Sequence, residues 1–320
     1  MRCFLPRQEV TSPMQTQKFT IVICTHNRVA LLLRTLSSIN DAYVPTHSDV
    51  DILIVANACT DATVDEVSSF YSKLPLRCII EPIAGKSLAL NRAIAITHSD
   101  YAVFIDDDHR VALDFFEQTQ AAIQLYPDKS ILCGKIIPDW TGTEPDWVQD
   151  TGDFRIFPPP IPSFDLGDMP MTIGITDELP GGGDLVIKLG VFHRVGQFSV
   201  SMGPIGHDLA GGEDSEFLLR ALKNGEQIHY IPSIIQYHYV DPERLKFNYL
   251  FKKSFQRSRS ITLARNPEKT GIPNYLWRKL ATYTIKVIFA FNTRLIRFYL
   301  MRVASTLGEI EGFRGHSNFK

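Results

Sequence analysis

Three adjacent carboxylates, Asp106, Asp107 and Asp108, close the apolar run Tyr101-Ala102-Val103-Phe104-Ile105. Like charges gathered at a strand end repel one another and are costly to desolvate, so the cluster calls for a cation. A divalent ion held by hard carboxylate oxygens is one solution; an acidic turn capping the helix that follows near Leu113 is the other. Further on, the loop Gly203 to Gly212 delivers Glu213 and Asp214 to the start of an apolar helical pattern. A helix N-terminus favours ionised carboxylates, which keeps a base ready without a raised pKa. A cap accounts for one of the pair but not readily for both. His238, between Tyr237 and Tyr239, is either a ligand or a structural imidazole.

These groups need elements to position them. Lys18 to Cys24, Asp51 to Ala56, Arg77 to Ile80 and Tyr101 to Ile105 are β-branched or apolar runs of strand length, and each of the first three is followed by a polar turn and apolar residues at helical spacing. Strands alternating with helices predict an α/β fold, a mostly parallel Rossmann-like sheet flanked by helices. Ligands of such sheets bind outside the carboxyl ends of the strands, where the aspartates fall. A helix over Phe115 to Tyr126 and a strand over Ile131 to Ile137 follow. Gln227 to Tyr230 and Ile234 to Tyr239 read as two closing strands. Between the Ile131 to Ile137 strand and these, residues 138–180 carry eight prolines with Trp140 and Trp147, as a pocket wall or as a surface excursion. Gly181-Gly182-Gly183 suits close backbone approach to a ligand, or simply a tight turn. Gly85-Lys86-Ser87 lacks the upstream glycine of a phosphate loop, since Ile80 holds its place, and a Walker site is not supported.

With 320 residues, 44% hydrophobic and 21% charged, the composition is that of an ordinary folded chain. Five scattered cysteines without a CxxC pair read as reduced thiols, and the first twenty residues lack a continuous apolar segment, so a cytoplasmic protein without a signal peptide is expected. The net charge of -2 conceals an asymmetry: fourteen Lys or Arg and only Glu268 lie between Arg244 and Arg302. The expected organisation is a loose lead-in over 1–17, a sheet domain over 18–240 and a basic amphipathic helical extension over 241–320.

Four elements in order carry a resemblance: Ile21-Val22-Ile23-Cys24-Thr25-His26-Asn27-Arg28, Phe104-Ile105-Asp106-Asp107-Asp108, Gly211-Gly212-Glu213-Asp214, and the late His238. Together they resemble the inverting nucleotide-sugar glycosyltransferases of family 2, with a GT-A fold. The resemblance implies Asp106 and Asp107 at the donor, with Asp106 near the ribose, and Asp108 with His238 as ligands of Mn2+ or Mg2+. It implies Asp214 as the base that takes the acceptor proton, with Glu213 beside it or in the reverse assignment. Thr25, Asn27, Arg28, Asn57, Lys86 and Arg92 are implied at the nucleotide and phosphates. A UDP-sugar is the donor the resemblance favours, but Ala56 stands where the family commonly has an Asp for uracil, which leaves GDP- or dTDP-sugars open. A glycan or lipid-linked acceptor, in cell-surface polysaccharide or glycolipid synthesis, is implied. The alternatives are a non-catalytic nucleotide-sugar-binding or scaffolding protein of this fold and, from a different reaction class, a nucleotidyltransferase. The glycine-free turn Thr25-His26-Asn27-Arg28 disfavours the latter.

The extension interleaves Phe247, Leu250, Phe251 and Phe255 with Lys252, Lys253, Arg257 and Arg259, followed by a second, more apolar helix over Trp277 to Arg302 with Lys279, Lys286, Arg294 and Arg297 on one side. Charges within the apolar window oppose a spanning helix. Two arrangements are open: lying on an anionic membrane surface at its cytoplasmic face, or packing on the body or a second subunit. Nucleic acid is not an expected partner, because the body is acidic and no reading motif is present.

Overall fold

The computed structural model describes residues 17–46, 48–149, 152–156, 159–200, 203, 212–265 and 271–314. Residues 1–16 of the expected 1–17 lead-in and most of the Gly203 to Gly212 loop, Gly211 included, lie outside the described residues, and Gln17 already belongs to the first strand.

The sheet domain begins with β1 (Gln17–Thr25), α1 (Val29–Asp41), β2 (Ser48–Asn57), α2 (Thr63–Ser69), β3 (Leu76–Glu81), α3 (Lys86–Ile96) and β4 (Tyr101–Phe104). There follow β5 (His109–Val111), α4 (Phe115–Leu125), β6 (Ile131–Asp139), β7 (Met171–Ile173), β8 (Leu185–Lys188), α5 (Gly190–Val195), α6 (Glu213–Lys223) and β9 (Ile228–Tyr239). The order across the sheet is β3-β2-β1-β4-β8-β6-β9-β5, with β7 also on β9. From β3 to β4 every pairing is parallel. The chain therefore winds outward from β1 to β3 and then returns to place β4 on the other side of β1, which opens a crevice at the carboxyl ends of β1 and β4. Beyond β4 the sheet is mixed: β8 runs antiparallel to β4 and β6, and β5 antiparallel to β9.

Alternation along β1 covers both faces of the sheet. Phe19, Ile21 and Ile23 pack with Leu32, Leu36 and Ile39 of α1, while Val22 packs with Ala89, Leu90 and Ala93 of α3. A parallel sheet buried on both sides needs such runs. The two closing strands expected from sequence are one strand, β9, in the structure. Its register against β6 shifts between Cys133 and Lys135, and this bulge absorbs Pro232 and Ser233 without ending the strand. Gly134 permits it, since a Cβ there would stand 2.0 Å from the Ile234 carbonyl oxygen.

The extension forms α7 (Phe247–Arg265), α8 (Asn274–Ile288) and α9 (Thr293–Arg314). The single helix expected over Trp277 to Arg302 is broken: Asn292 accepts from the Leu295 amide at 2.9 Å and starts α9, so Lys279, Lys286, Arg294 and Arg297 do not share one helix face. Helices α7 and α9 meet backbone to backbone. A Cβ on Gly308 would lie 2.2 Å from the Phe255 carbonyl oxygen, and Ser254 bonds the Met301 carbonyl at 3.0 Å. The proline-rich stretch packs on this unit, with Phe154 against Phe298 at 5.4 Å, Arg297 over the Trp147 ring, and Lys253 on the Pro160 carbonyl.

Candidate active site

The crevice is built from loops that lock one another. Asn27 follows β1 with φ 53°, a left-handed conformation that Asn tolerates, and its Oδ1 accepts from the Thr60 and Asp61 amides at 2.7 and 3.2 Å. Asn57 spends its side chain on the next loop, accepting from the Gly85 amide at 2.8 Å and donating to the Ile83 carbonyl at 2.7 Å. The acidic turn is pinned from behind by Thr35 of α1, whose hydroxyl lies 3.0 and 2.6 Å from the Asp107 and His109 carbonyl oxygens.

Each carboxylate of the triplet meets a cation. Lys86 Nζ is 2.9 Å from Asp106, Arg28 Nη1 is 3.1 Å from Asp107 and 3.2 Å from Asp108, and Arg244 Nη2 is 2.9 Å from Asp108. Thr25 donates to Asp107 at 2.7 Å. Burial, together with the charge of Asp108, pushes Asp107 up to about 6 despite Arg28 and Thr25. Burial also works against the charged form of Asp108, but His238, His109, Arg244 and Arg28 outweigh it and hold that carboxyl well below the usual range. The two neighbours thus differ in that Asp108 has Arg244 beside it as well as the Arg28 it shares with Asp107.

The downstream pair reaches the same place. Glu213 and Asp214 open α6, and Lys86 Nζ lies 3.9 Å from Glu213 as well as 2.9 Å from Asp106. The Gly182 amide donates to Asp214 Oδ2 at 2.7 Å, and the Ser215 amide to Oδ1 at 2.8 Å. Next to it, Gly183 packs so closely on Asp106 that a Cβ would stand 2.5 Å from the carboxyl carbon. The glycine turn therefore serves close approach and bridges the triplet to the pair. Glu213 is buried, its Oε2 has no hydrogen-bond partner among the described residues, and burial raises its pKa.

His238 faces Asp108 with Nε2 3.7 Å from Oδ1. Its Nδ1 lies 2.8 Å from the Tyr239 carbonyl, an acceptor only, so the proton is on Nδ1 and the Nε2 lone pair faces the site. Burial depresses its pKa to about 4, against the pull of Asp108. Asp108, His109 and His238 offer ligand atoms within 4.8 Å of one another. His109 is steadied by Gln236 Oε1 at 2.9 Å from Nδ1, and Gln236 in turn by the buried Asp184 at 3.4 Å. A carboxylate with two imidazoles, each held by a second partner, fits a divalent ion.

Thr25, Arg28, Lys86, Asp106, Asp107, Asp108, Glu213, Asp214 and His238 thus converge. Asn57 stands beside them but its side chain braces the 81–85 loop. Arg92 does not join them: it is exposed on α3, more than a turn beyond Lys86, and takes part in none of the ion pairs above. Sequence reasoning missed His109 and Arg244. The first had a signal, adjacency to the triplet; the second is one of many basic residues in its region and had none.

The fold and crevice define a GT-A-type α/β domain with an acidic site at its switch point. Residues 20–176 match the model of glycosyl transferase family 2. Over 248 residues the chain is 23% identical to the succinoglycan biosynthesis protein ExoM of Rhizobium meliloti (strain 1021), covering 76% of this chain and 74% of that protein. The fold matches the mannosyltransferase PcManGT from Pyrobaculum calidifontis in complex with GDP-Man and Mn2+ (TM-score 0.60, 15% identity, 92% of this chain, 86% of that one). It also matches S. aureus TarS 1-349 in complex with UDP-GlcNAc (TM-score 0.52, 13% identity, 92% of this chain, 90% of that one), and spans 55% of a longer TarS chain.

Proposed function

We propose that the protein is a metal-dependent, inverting glycosyltransferase that moves a sugar from a nucleoside-diphosphate sugar to an acceptor hydroxyl. The observation that carries this reading is the convergence of the acidic triplet and the Glu213-Asp214 pair on Lys86 and the Gly182-Gly183 turn. Asp108 and His238 would hold Mn2+ or Mg2+, with His109 at hand. That ion supplies charge neutralisation of the leaving nucleoside diphosphate. Asp106 and Asp107 face the donor, with Arg28 and Lys86 balancing their charge.

Asp214 is the base. Two backbone amides hold its oxygens in place, whereas Glu213 is buried beside it with a raised pKa and suits acceptor positioning. The acceptor oxygen bonds to the anomeric carbon as its proton passes to Asp214. The bond from that carbon to the β-phosphate oxygen breaks, and the diphosphate leaves with the electron pair. One displacement from the opposite face inverts the centre.

UDP- and GDP-sugars are both candidates, as structural neighbours are described with each. The acceptor class is a growing glycan, lipid-linked or free, in keeping with the polysaccharide relative. Peripheral membrane contact is drawn from the α8–α9 turn, where Phe291 is 95% and Ile288 72% exposed beside Lys286 and Arg294; no described helix is long and apolar enough to span a membrane.

The test is donor hydrolysis with Mn2+ across UDP-, GDP- and dTDP-sugars. Turnover of at least one donor that disappears in both Asp108→Asn and Asp214→Asn is expected; turnover indifferent to both sinks the reading. Flotation with anionic but not neutral vesicles tests the membrane contact.

A further inference from the structure

Arg244 lies outside the sheet domain, in the 3-10 turn Pro242–Leu245 that links β9 to α7, yet its guanidinium sits among the candidate ion ligands. One nitrogen is 2.9 Å from Asp108 Oδ2 and another 3.2 Å from His238 Nε2. We propose that Arg244 is the resident counter-cation of the ion site, holding Asp108 and His238 in place while no ion is bound and leaving them when one enters. This rests on the reading of those two residues as ion ligands.

The exclusion is stereochemical. With its proton on Nδ1, bonded to the Tyr239 carbonyl, His238 has a single lone pair, on Nε2. That lone pair accepts from Arg244 or coordinates a cation, and it does not do both. Asp108 has a second oxygen and a second cation, Arg28, and so remains compensated when the guanidinium departs. The ligands themselves need not move. The main chain of Asp108 is fixed by the Tyr239 amide, 2.8 Å from its carbonyl oxygen, and His109 and His238 are register partners. The mobile part is therefore the arginine and its turn, whose own closure is short: Asp241 accepts from the Glu243 amide at 2.9 Å. Before the ion arrives, the fork keeps a buried carboxylate and a buried imidazole at ligating separation and shares with Arg28 the offsetting of the carboxylate charge.

The experiment is Mn2+ binding to the full chain without donor, by electron paramagnetic resonance of free Mn2+, in wild type, Arg244→Gln and Arg244→Lys, with Asp108→Asn as the control that loses the site. Removing the competitor should tighten Mn2+ binding about tenfold or more in the Gln variant, since charged hydrogen bonds no longer have to be broken. The Lys variant, whose ammonium cannot fork, should fall between. In wild type, Mn2+ should speed amide hydrogen exchange over residues 241–250. Equal or weaker Mn2+ binding in the Gln variant overturns the proposal while leaving the ion site standing. Absence of binding in every protein removes the ion site, and the proposal with it. If the Gln variant does not fold, wild-type exchange decides: no change at 241–250 on adding Mn2+ overturns the proposal.

Discussion

His109 and His238 are register partners across β5 and β9, with ring centroids 5.0 Å apart. An antiparallel pair places opposite side chains on one face, so the short strand after the acidic turn and the last strand of the sheet deliver their imidazoles together. The pairing also fixes how near His238 comes to Asp108.

His238→Gln should lower Mn2+ affinity by about tenfold or more, read by titration calorimetry. The depressed pKa carries a sign. The folded imidazole stays neutral down to about pH 4 while the unfolded one protonates near 6.5, so wild type loses stability relative to the variant as pH falls through that window. Urea unfolding of both proteins at pH 7 and pH 5 measures the difference; a gap that does not change contradicts the burial argument.

Lys86→Met leaves Asp106 and Glu213 facing each other without their shared cation. A destabilisation of about 2 kcal/mol or more is expected, somewhat below that for a fully buried pair because Lys86 retains some solvent contact. Lys86→Arg should recover most of the stability, and chemical denaturation reads both.

Two glycines should separate folding from function. Gly134→Ala drives a methyl into the Ile234 carbonyl at the β6–β9 bulge, and a backbone atom cannot step aside; a loss of about 2 kcal/mol or more is expected in thermal melts. Gly183→Ala meets a side chain, Asp106, which can turn away. It should lower donor affinity, by calorimetry with nucleoside diphosphate and Mn2+, with a smaller change in melting temperature.

Asp184 is buried, and burial raises its pKa well above the usual value despite bonds from the Gly134 amide and Gln236. Its cost to stability is present where the folded group is ionised and shrinks as pH falls toward the unfolded value of 3.8. Asp184→Asn should therefore be more favourable at high pH than at pH 4, so the stability of wild type minus that of the variant rises as pH falls. A gap that widens in the variant's favour as pH falls would count against it.

Strands β1, β2 and β4 were legible because each is a short apolar run buried on both faces, and the two acidic clusters stood out because unshielded like charge is rare in such settings. The rest depends on distance along the chain. Nothing local marks Arg244 among its basic neighbours, and it reaches Asp108 across 136 residues only because β9 ends beside the acidic turn. The continuity of β9 across Pro232 depends on Gly134 in another strand, invisible from either segment alone. The break before α9 did have a local sign, Asn292 before Thr293, masked by the apolar pattern on both sides. For Arg92, helical spacing gave no direction, and the structure turns it to solvent.

The crossing of α7 and α9 leaves no room for even a methyl group at Gly308 or Gly312. Helix α7 starts three residues after Arg244, so the arginine's turn is rooted in a scaffold whose keel is the last helix. Shortening the protein before Thr293 would strip that keel, and the damage would register at Asp108 rather than at the cut.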